Sequence, residues 1–102
     1  MRWSGPALKD LEGIRDYIAR DSEHYAAGFA RRIVETARSL GKMPKQGRVV
    51  PEIGDEKVRE LIVGAYRLIY EVSENRVDIL AVLHGAREFR RAWGAASRTK
   101  TN

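Results

Sequence analysis

The sequence lacks three features: cysteine, a long apolar segment and a signal-peptide pattern at its N-terminus. It contains no cysteine, which excludes a disulfide framework and a thiolate metal site. No segment approaches the roughly 20 consecutive apolar residues that span a bilayer, and the N-terminus lacks the charged-then-apolar layout of a signal peptide. We therefore expect a cytoplasmic protein without a membrane partner.

Length and charge indicate one small basic domain. At 102 residues the chain is long enough for a single modest core, and its 43% hydrophobic and 32% charged content is ordinary for a folded protein. Most of the net charge of +5 lies near the C-terminus, where five cations face one acid, Glu88. The cations are Arg87, Arg90, Arg91, Arg98 and Lys100. We predict a domain over residues 1–94 and a basic tail over residues 95–102, which suits an anionic partner or serves only solubility.

The N-terminal half predicts a short strand at "MRWS" followed by two amphipathic helices. Ser4 is suited to cap the first helix, and Pro6 is tolerated in its first turn. Asp21 or Ser22 can cap the second helix, which Gly41 ends. Apolar residues recur at helical spacing in both: Ala7, Leu11, Ile14 and Ile18 in the first, and Ala26, Phe29, Ile33, Ala37 and Leu40 in the second. So short a connection predicts an antiparallel helix hairpin.

The C-terminal half predicts a loop and a small sheet. Residues 42–57, "KMPKQGRVVPEIGDEK", contain two prolines and two glycines without any hydrophobic period, so we predict a loop. Strands are predicted over residues 58–63, 66–72 and 77–84, with tight turns at "GA" and "EN", and a short helix over Arg87–Trp93. The expected fold is α+β, with the helix hairpin packed on one face of a mainly antiparallel sheet.

Two-residue turns would assign every strand residue to one face of this sheet. They place Val63 opposite Tyr66 and Ser73 opposite Arg76, and side chains alternate between the faces from there. The first face is nearly pure hydrocarbon and is the predicted core beneath the helices. It comprises Leu61, Val63, Tyr66, Leu68, Tyr70, Val72, Val77, Ile79, Ala81 and Leu83, with Arg59 as its single charged residue.

The second predicted face mixes apolar and charged side chains. Its centre is an apolar strip that we expect to be exposed, formed by Ile62, Ile69, Leu80 and Val82. Charged residues surround the strip, and an apolar patch with a polar rim is typical of a binding surface. In this register Arg67 and His84 lie on the same face as the strip. A one-residue slip would reverse these assignments.

The order of the elements resembles the RelE/ParE superfamily of toxins from bacterial type II toxin–antitoxin systems. The resemblance spans residues 3–90 and rests on "WSGPALKDLEGIRDYIA", "GRVVPE", "VRELIVGAYRLIYEV" and "VDILAVLHGARE". In particular, "RE" before the strand, "YR.IY" within it and "H..R" at its end are typical of the ParE branch. No single motif is diagnostic, so their order and spacing carry the resemblance.

The resemblance implies a growth-inhibiting toxin that a co-expressed antitoxin holds inactive. A disordered segment of that antitoxin is expected to fold across the apolar strip. The antitoxin is expected to be of the ribbon-helix-helix type, to form a heterotetramer or larger complex, and to contact operator DNA itself. ParE-like members are associated with inhibition of DNA gyrase, whereas RelE-like members cut messenger RNA on the ribosome. The fold alone does not choose between these activities.

Cleavage of RNA without a metal needs a base, a cation at the phosphate and an acid. The resemblance implies Arg67 as a phosphate-binding arginine, and Arg87 matches the functional arginine after the last strand of the family. His84 could act as acid or base because imidazole titrates near neutral pH. No cofactor is expected. Ribonuclease members, however, carry two functional lysines where this chain has Val58 and Glu60.

A third difference concerns the end of the chain, where Trp93 stands in place of a tyrosine of the ribonuclease members. We therefore predict a ParE-like toxin that inhibits gyrase, with a RelE-like ribosome-dependent endoribonuclease as the alternative. A non-enzymatic nucleic-acid binder that uses the basic tail is a third hypothesis.

The candidate residues also have purely structural interpretations. Arg67 can pair with Glu60 or Glu71 on its own face, and His84 can form local hydrogen bonds at the strand end. Trp and Arg dominate binding hot spots, so the residues after the last strand are candidate partner contacts. These are Arg87, Arg90, Arg91 and Trp93. His24 has no second ligand at convincing spacing, so no metal site is predicted.

Overall fold

A computed structural model of the chain describes residues 1–85 together with Glu88, Phe89 and Trp93. Within these residues, five strands and two continuous helices follow in the order β1 (Arg2–Trp3), α1 (Gly5–Ala19), α2 (Glu23–Ser39), β2 (Arg48–Val49), β3 (Val58–Val63), β4 (Tyr66–Ser73) and β5 (Arg76–His84). The strands form one sheet in the order β1-β5-β4-β3-β2, in which only the β1–β5 pair is parallel among the described residues. The predicted α+β fold is confirmed. Apart from Glu88, Phe89 and Trp93, the predicted helix over Arg87–Trp93 lies outside the described residues, as does the tail over 95–102.

Serine side chains start both helices, as predicted. The Ser4 Oγ accepts a hydrogen bond from the Ala7 backbone N–H at 3.1 Å, and the Ser22 Oγ accepts one from the Tyr25 N–H at the same distance. Each bond satisfies a backbone donor that has no partner within the helix. The Ser4 Oγ also donates to the Leu80 carbonyl at 3.3 Å, which ties the start of α1 to the sheet.

The two hairpin turns set the register that the sequence predicts. Val63 pairs with Tyr66 across the first turn, and Ser73 pairs with Arg76 across the second. From the first turn the predicted pairing continues along the whole of β3, so that Ile62 lies opposite Arg67.

A β-bulge in β5 then overturns part of the predicted face assignment. Tyr70 pairs with Ile79, but its neighbour Ile69 pairs with Ala81, which leaves Leu80 as an extra residue. An extra residue shifts the remainder of the strand by one position and reverses its side chains. Beyond the bulge, Ala81 and Leu83 therefore leave the predicted core face, whereas Val82 and His84 move onto it. Nothing in the alternation of β5 signals this bulge.

One face of the sheet, the helix-side face, packs against α1 and α2. Its core is apolar and includes Phe29 and Ile33 of α2 together with Leu68, Tyr70 and Val82 of the sheet. Trp3 packs against this core from β1. The Asp10 Oδ2 accepts a hydrogen bond from the Val82 N–H at 3.0 Å, so α1 is also held to β5 by a polar contact.

The opposite face, the loop-side face, carries a second core that the sequence did not predict. It consists of Val50, Val58, Ile69, Ala81, Leu83 and Phe89, with Ile53 and Trp93 packed against it. The segment expected to be a loop contributes β2, which pairs with β3. Gly47 makes this approach feasible, because a Cβ there would lie 2.4 Å from the Glu60 carbonyl oxygen and 2.7 Å from the Tyr70 hydroxyl. The same Tyr70 hydroxyl accepts a hydrogen bond from the Gly47 N–H at 2.9 Å.

Candidate functional site

The arginine that the sequence singles out lies on the loop-side face, in the middle of β4. Arg67 pairs across the sheet with Ile62 on one side and Leu83 on the other. It lies on the face away from the helices, as predicted, but only 7% of the residue is exposed. An arginine buried to this degree needs partners for its charge.

Carboxylates from two different elements supply those partners. The Arg67 Nε donates to the Glu60 Oε1 at 2.6 Å, and its two Nη atoms donate to both oxygens of Glu52 at 2.9 and 2.7 Å. The second contact is the bidentate fork that arginine forms with carboxylates and phosphates. The Phe89 ring lies on the guanidinium, with 5.0 Å between the Arg67 Cζ and the ring centroid. Three of the five N–H donors of Arg67 are therefore engaged by anions of the same chain.

A second arginine completes a four-residue ionic network, called here the Arg67 network: Arg48, Glu52, Glu60 and Arg67. The Arg48 Nε lies 2.6 Å from the Glu60 Oε2, so the fully buried Glu60 carboxylate is shared by two arginines. Two cations balance two anions, which leaves the network neutral as a whole. The hydrogen bonds between Glu52 and Arg67 shift the pKa values of both residues. Arg67 holds the pKa of the Glu52 carboxyl below its ordinary value, and Glu52 raises the pKa of Arg67.

The apolar strip expected on this face is mostly covered. Ile62 is 60% exposed, but Ile69 is fully buried and Leu80 and Val82 are nearly so. The loop-side core, which includes Ile69, incorporates Val50 and Phe89 from outside the three main strands. The prediction of an exposed strip is therefore wrong for Ile69, Leu80 and Val82. Whether these residues contact a partner in a complex stays a prediction.

His84 lies on the opposite face from Arg67, because the bulge precedes it. Its ring packs edge-on against Tyr66 with 5.1 Å between the centroids, and its backbone N–H donates to the Glu88 carboxylate. A groove of about 750 Å³ opens here between α1 and the sheet, with Lys9 and Tyr17 on its far wall. Burial raises the pKa of Tyr66, and Glu88 adds to this effect. The prediction that Arg67 and His84 share a face is wrong, so the structure does not bring them together as an acid–base and phosphate-binding pair.

The remaining predicted residues follow β5. Arg87, Arg90 and Arg91 lie outside the described residues, so their predicted roles in catalysis or partner binding stay predictions. Trp93 is described, and its ring stacks on Phe89 with 5.1 Å between the centroids. Within the described part of the chain, Trp93 thus serves the loop-side core.

Sequence reasoning missed two members of the network. It considered Glu60 as a partner of Arg67, and this pairing is confirmed. It assigned no role to Arg48 or Glu52, which lie in a segment without periodicity. The only available signal was the pair of opposite charges in "GRVVPE", and which residue they would meet depends on how the loop folds back.

The described residues contain neither a candidate metal site nor a helix that could span a membrane. Among residues 1–85, 88, 89 and 93, no cluster of three or more His, Asp or Glu side chains could hold a metal ion. Neither described helix is long and apolar enough to cross a membrane.

Comparison with known proteins identifies the family. The family model for the ParE toxin of the type II toxin–antitoxin system parDE matches residues 1–89. The chain belongs to this family. Among curated relatives of the ParE-family chain, Toxin RelE2 of Caulobacter vibrioides is 37% identical over 86 residues, which cover 83% of this chain and 93% of RelE2. Among solved structures, the chromosomal ParDE toxin–antitoxin system from P. aeruginosa matches with a TM-score of 0.69 at 24% identity, covering 83% of this chain and 94% of the matched chain. At that identity the structural match concerns the fold alone.

Proposed function

We propose that this ParE-family toxin acts by inhibiting DNA gyrase through binding, is neutralised by a cognate antitoxin, and does not cut RNA. Membership of the ParE family and the ParE-like motifs around β4 support the gyrase part of the proposal. The matching family model describes the toxin of a two-component toxin–antitoxin system, which supports the antitoxin partner.

The observation that carries the proposal is the engagement of all three nitrogens of the buried Arg67 guanidinium by carboxylates. A phosphate at this arginine would have to displace Glu52 from the guanidinium fork and would then meet the buried Glu60 carboxylate 2.6 Å from the Nε. Two like charges held so close in a site of low polarity repel strongly. The arginine that the resemblance implies for phosphate binding is thus already bound by carboxylates of the same chain.

Two further features weigh against a nuclease. Val58 and Glu60 stand where the resemblance implies functional lysines, and both are about 1% exposed. Valine cannot transfer a proton, and Glu60 is already committed to Arg48 and Arg67. His84, the remaining candidate acid or base, projects from the other face of the sheet. A base and a stabilising cation must be close to one phosphate for this chemistry.

Two assays on the purified chain test the proposal together. We expect it to stop supercoiling by gyrase at stoichiometric concentration and to leave messenger RNA intact on programmed ribosomes. Discrete messenger fragments from the ribosome assay, with supercoiling unaffected, would establish the endoribonuclease instead. Heat-denatured toxin at the same concentration is the control for non-specific inhibition by a basic protein.

The antitoxin part has its own test in cells. Induction of this chain alone should arrest growth, and co-expression of the neighbouring short reading frame should restore it. The antitoxin should co-purify with the toxin as a complex of at least two copies of each chain. Growth arrest that no neighbouring gene relieves would contradict the pairing.

A further inference from the structure

The loop-side face is covered by two segments that are distant in sequence. From one side, residues 50–57 bring Val50, which is fully buried, and Ile53 onto the sheet. From the other side come Phe89, which is 4% exposed, and Trp93, which packs beside it; these two residues are called here the Phe89 segment. Beneath them lie the apolar side chains of Val58, Ile69, Ala81 and Leu83. Phe89 and Trp93 are in helical conformation, so a loop and a helical segment together close this face.

Arg67 is the residue that both covering segments contact. Glu52 grips both Nη atoms from the loop, and the Phe89 ring lies 5.0 Å from the Cζ atom. Glu60 fixes the guanidinium from the sheet itself, through the Nε. The guanidinium is therefore held by Glu60 on the sheet side. On its other side it is capped by the Glu52 carboxylate and the Phe89 ring. A change in either cap alters the charge environment and packing of the other.

The anion is the cap that can be displaced most readily. The Glu52 side chain is 32% exposed, whereas Phe89 is only 4% exposed. Outside its strand pairing, the loop is held by few backbone bonds, such as those from the Ile53 and Gly54 N–H groups to the Val50 carbonyl. Local opening draws on segments with few buried contacts and short-range hydrogen bonds.

From these contacts we propose that Glu52 is a latch. Its contact with Arg67 keeps residues 50–57 and the Phe89 segment closed over the loop-side face as one cooperative cover. When the Glu52–Arg67 contact breaks, both segments loosen together and expose the apolar side chains beneath. With the latch closed, the face is withheld from any partner. Its use as a partner surface rests on the proposed function, but the coupling of the two segments does not.

The two tryptophans allow each half of the cover to be followed separately. Trp3 belongs to the helix-side core and Trp93 to the loop-side core. In a Trp3→Phe background, quenching of the single tryptophan by acrylamide reports on the Phe89 segment. Hydrogen exchange at the Ile53 and Gly54 amides reports on the loop, and the Ser4 amide, bonded to the Ile79 carbonyl, serves as a reference at the opposite edge of the sheet.

Two variants in this background test the coupling from both sides. Glu52→Gln removes the latch charge and keeps the shape, while Phe89→Leu removes the ring from the guanidinium. Glu56→Gln removes a charge from the same loop at a carboxylate that makes no hydrogen bond or ion pair within the described part of the chain, and is the matched control. Coupling between two sites is reciprocal, so each variant should affect the segment it does not belong to.

We expect Glu52→Gln to increase both Trp93 quenching and exchange at Ile53 and Gly54, the latter about fivefold. Phe89→Leu should increase exchange at the same loop amides by roughly two- to fivefold. Glu56→Gln and the Ser4 amide should show no change. If each variant loosens only its own segment, or if Glu52→Gln behaves like Glu56→Gln, the latch is refuted. Neither readout involves gyrase or an antitoxin, so failure of the proposed function would leave this result unaffected.

Discussion

The two faces of the sheet are covered through different kinds of interaction, although β4 contributes side chains to both faces. On the helix-side face, Leu68 and Tyr70 pack against two amphipathic helices in an almost purely apolar core. On the loop-side face, Arg67 and Ile69 lie under a short loop that is held by an ionic network with a buried Arg67–Glu60 pair at its centre. Hydrocarbon burial is non-directional and tolerates many partners. A buried ion pair needs specific geometry, because each charge must recover its desolvation cost.

The difference shows why a short segment needs polar anchors. A helix presents a long apolar stripe, whereas residues 50–57 bring little more than Val50 and Ile53 to the sheet. The loop compensates with directional contacts: Glu52 to Arg67, Arg48 to Glu60, and Gly47 to Tyr70. Such contacts specify one arrangement of the loop. Because of these contacts, Arg67 is a buried, charge-paired residue and not an exposed cation.

The largest difference between the faces should appear when neighbouring residues of β4 are both changed to methionine. Arg67→Met leaves the buried Glu60 with one arginine and releases Glu52, so we expect a loss of about 3 kcal/mol in unfolding free energy. Leu68→Met preserves volume on the helix-side face and should cost less than about 1.5 kcal/mol. Urea denaturation monitored by circular dichroism measures both.

Equal losses for the two methionine variants would contradict the comparison. They would mean that removing the Arg67 charge costs no more than a volume-conserving change in the apolar core. Unchanged m-values are the condition for reading the midpoints as differences in stability.

Two glycines give the next contrast, one under the loop and one on a helix. Gly47→Ala places a Cβ against the Glu60 carbonyl and the Tyr70 hydroxyl, so we expect a cost of about 1–3 kcal/mol and loss of the β2 pairing. Gly28→Ala lies in the interior of α2, where nothing lies within 4 Å of the added Cβ, and should stabilise by up to about 1 kcal/mol. Thermal unfolding of the two variants against the parent gives opposite shifts. A neutral Gly47→Ala would show that the loop is not held tightly to the sheet.

The smallest effect concerns pH and affects only the loop-side face. The pKa of Glu52 is lowered in the folded protein, first by its hydrogen bonds to Arg67 and further by the charges of Arg67 and Arg48, although partial burial acts to raise it. A depressed carboxyl pKa gives stability that is present above the ordinary value of 4.5 and is lost as the pH falls through the folded-state value. The parent should therefore exceed Glu52→Gln by up to about 1 kcal/mol at pH 6, and the difference should vanish toward pH 3. A difference that stays constant over this range would show that the Glu52 charge is not involved.

Sequence reasoning succeeded where a local pattern determines the structure. Ser4 and Ser22 cap their helices, and the two-residue turns fix Val63 opposite Tyr66. It failed at Leu80, because a bulge leaves no trace in the alternation of apolar residues and reverses His84. Secondary-structure propensity likewise gave no indication of what Glu52 would contact. Whether a charged loop residue points to solvent or to a buried arginine depends on long-range folding.

The candidate site shows the same division. The outward orientation of Arg67 and its pairing with Glu60 followed from the register of β3 and β4. Its burial did not, because the cover comes from the loop and from Phe89. The strip was predicted to be exposed because the helix hairpin was expected to cover the other face. Here residues 50–57 cover this face with the help of charge, together with Phe89 and Trp93.

The most direct test of the central claim replaces the buried pair by apolar residues. Glu60→Leu combined with Arg67→Met removes both buried charges, and such replacements are often neutral or stabilising. If Arg67 serves the interior and not the chemistry, the double variant should fold with near-parental stability and still arrest growth when induced alone. A double variant that folds equally well but has lost the growth arrest of the parent would show that Arg67 acts in toxicity itself, and would contradict the account.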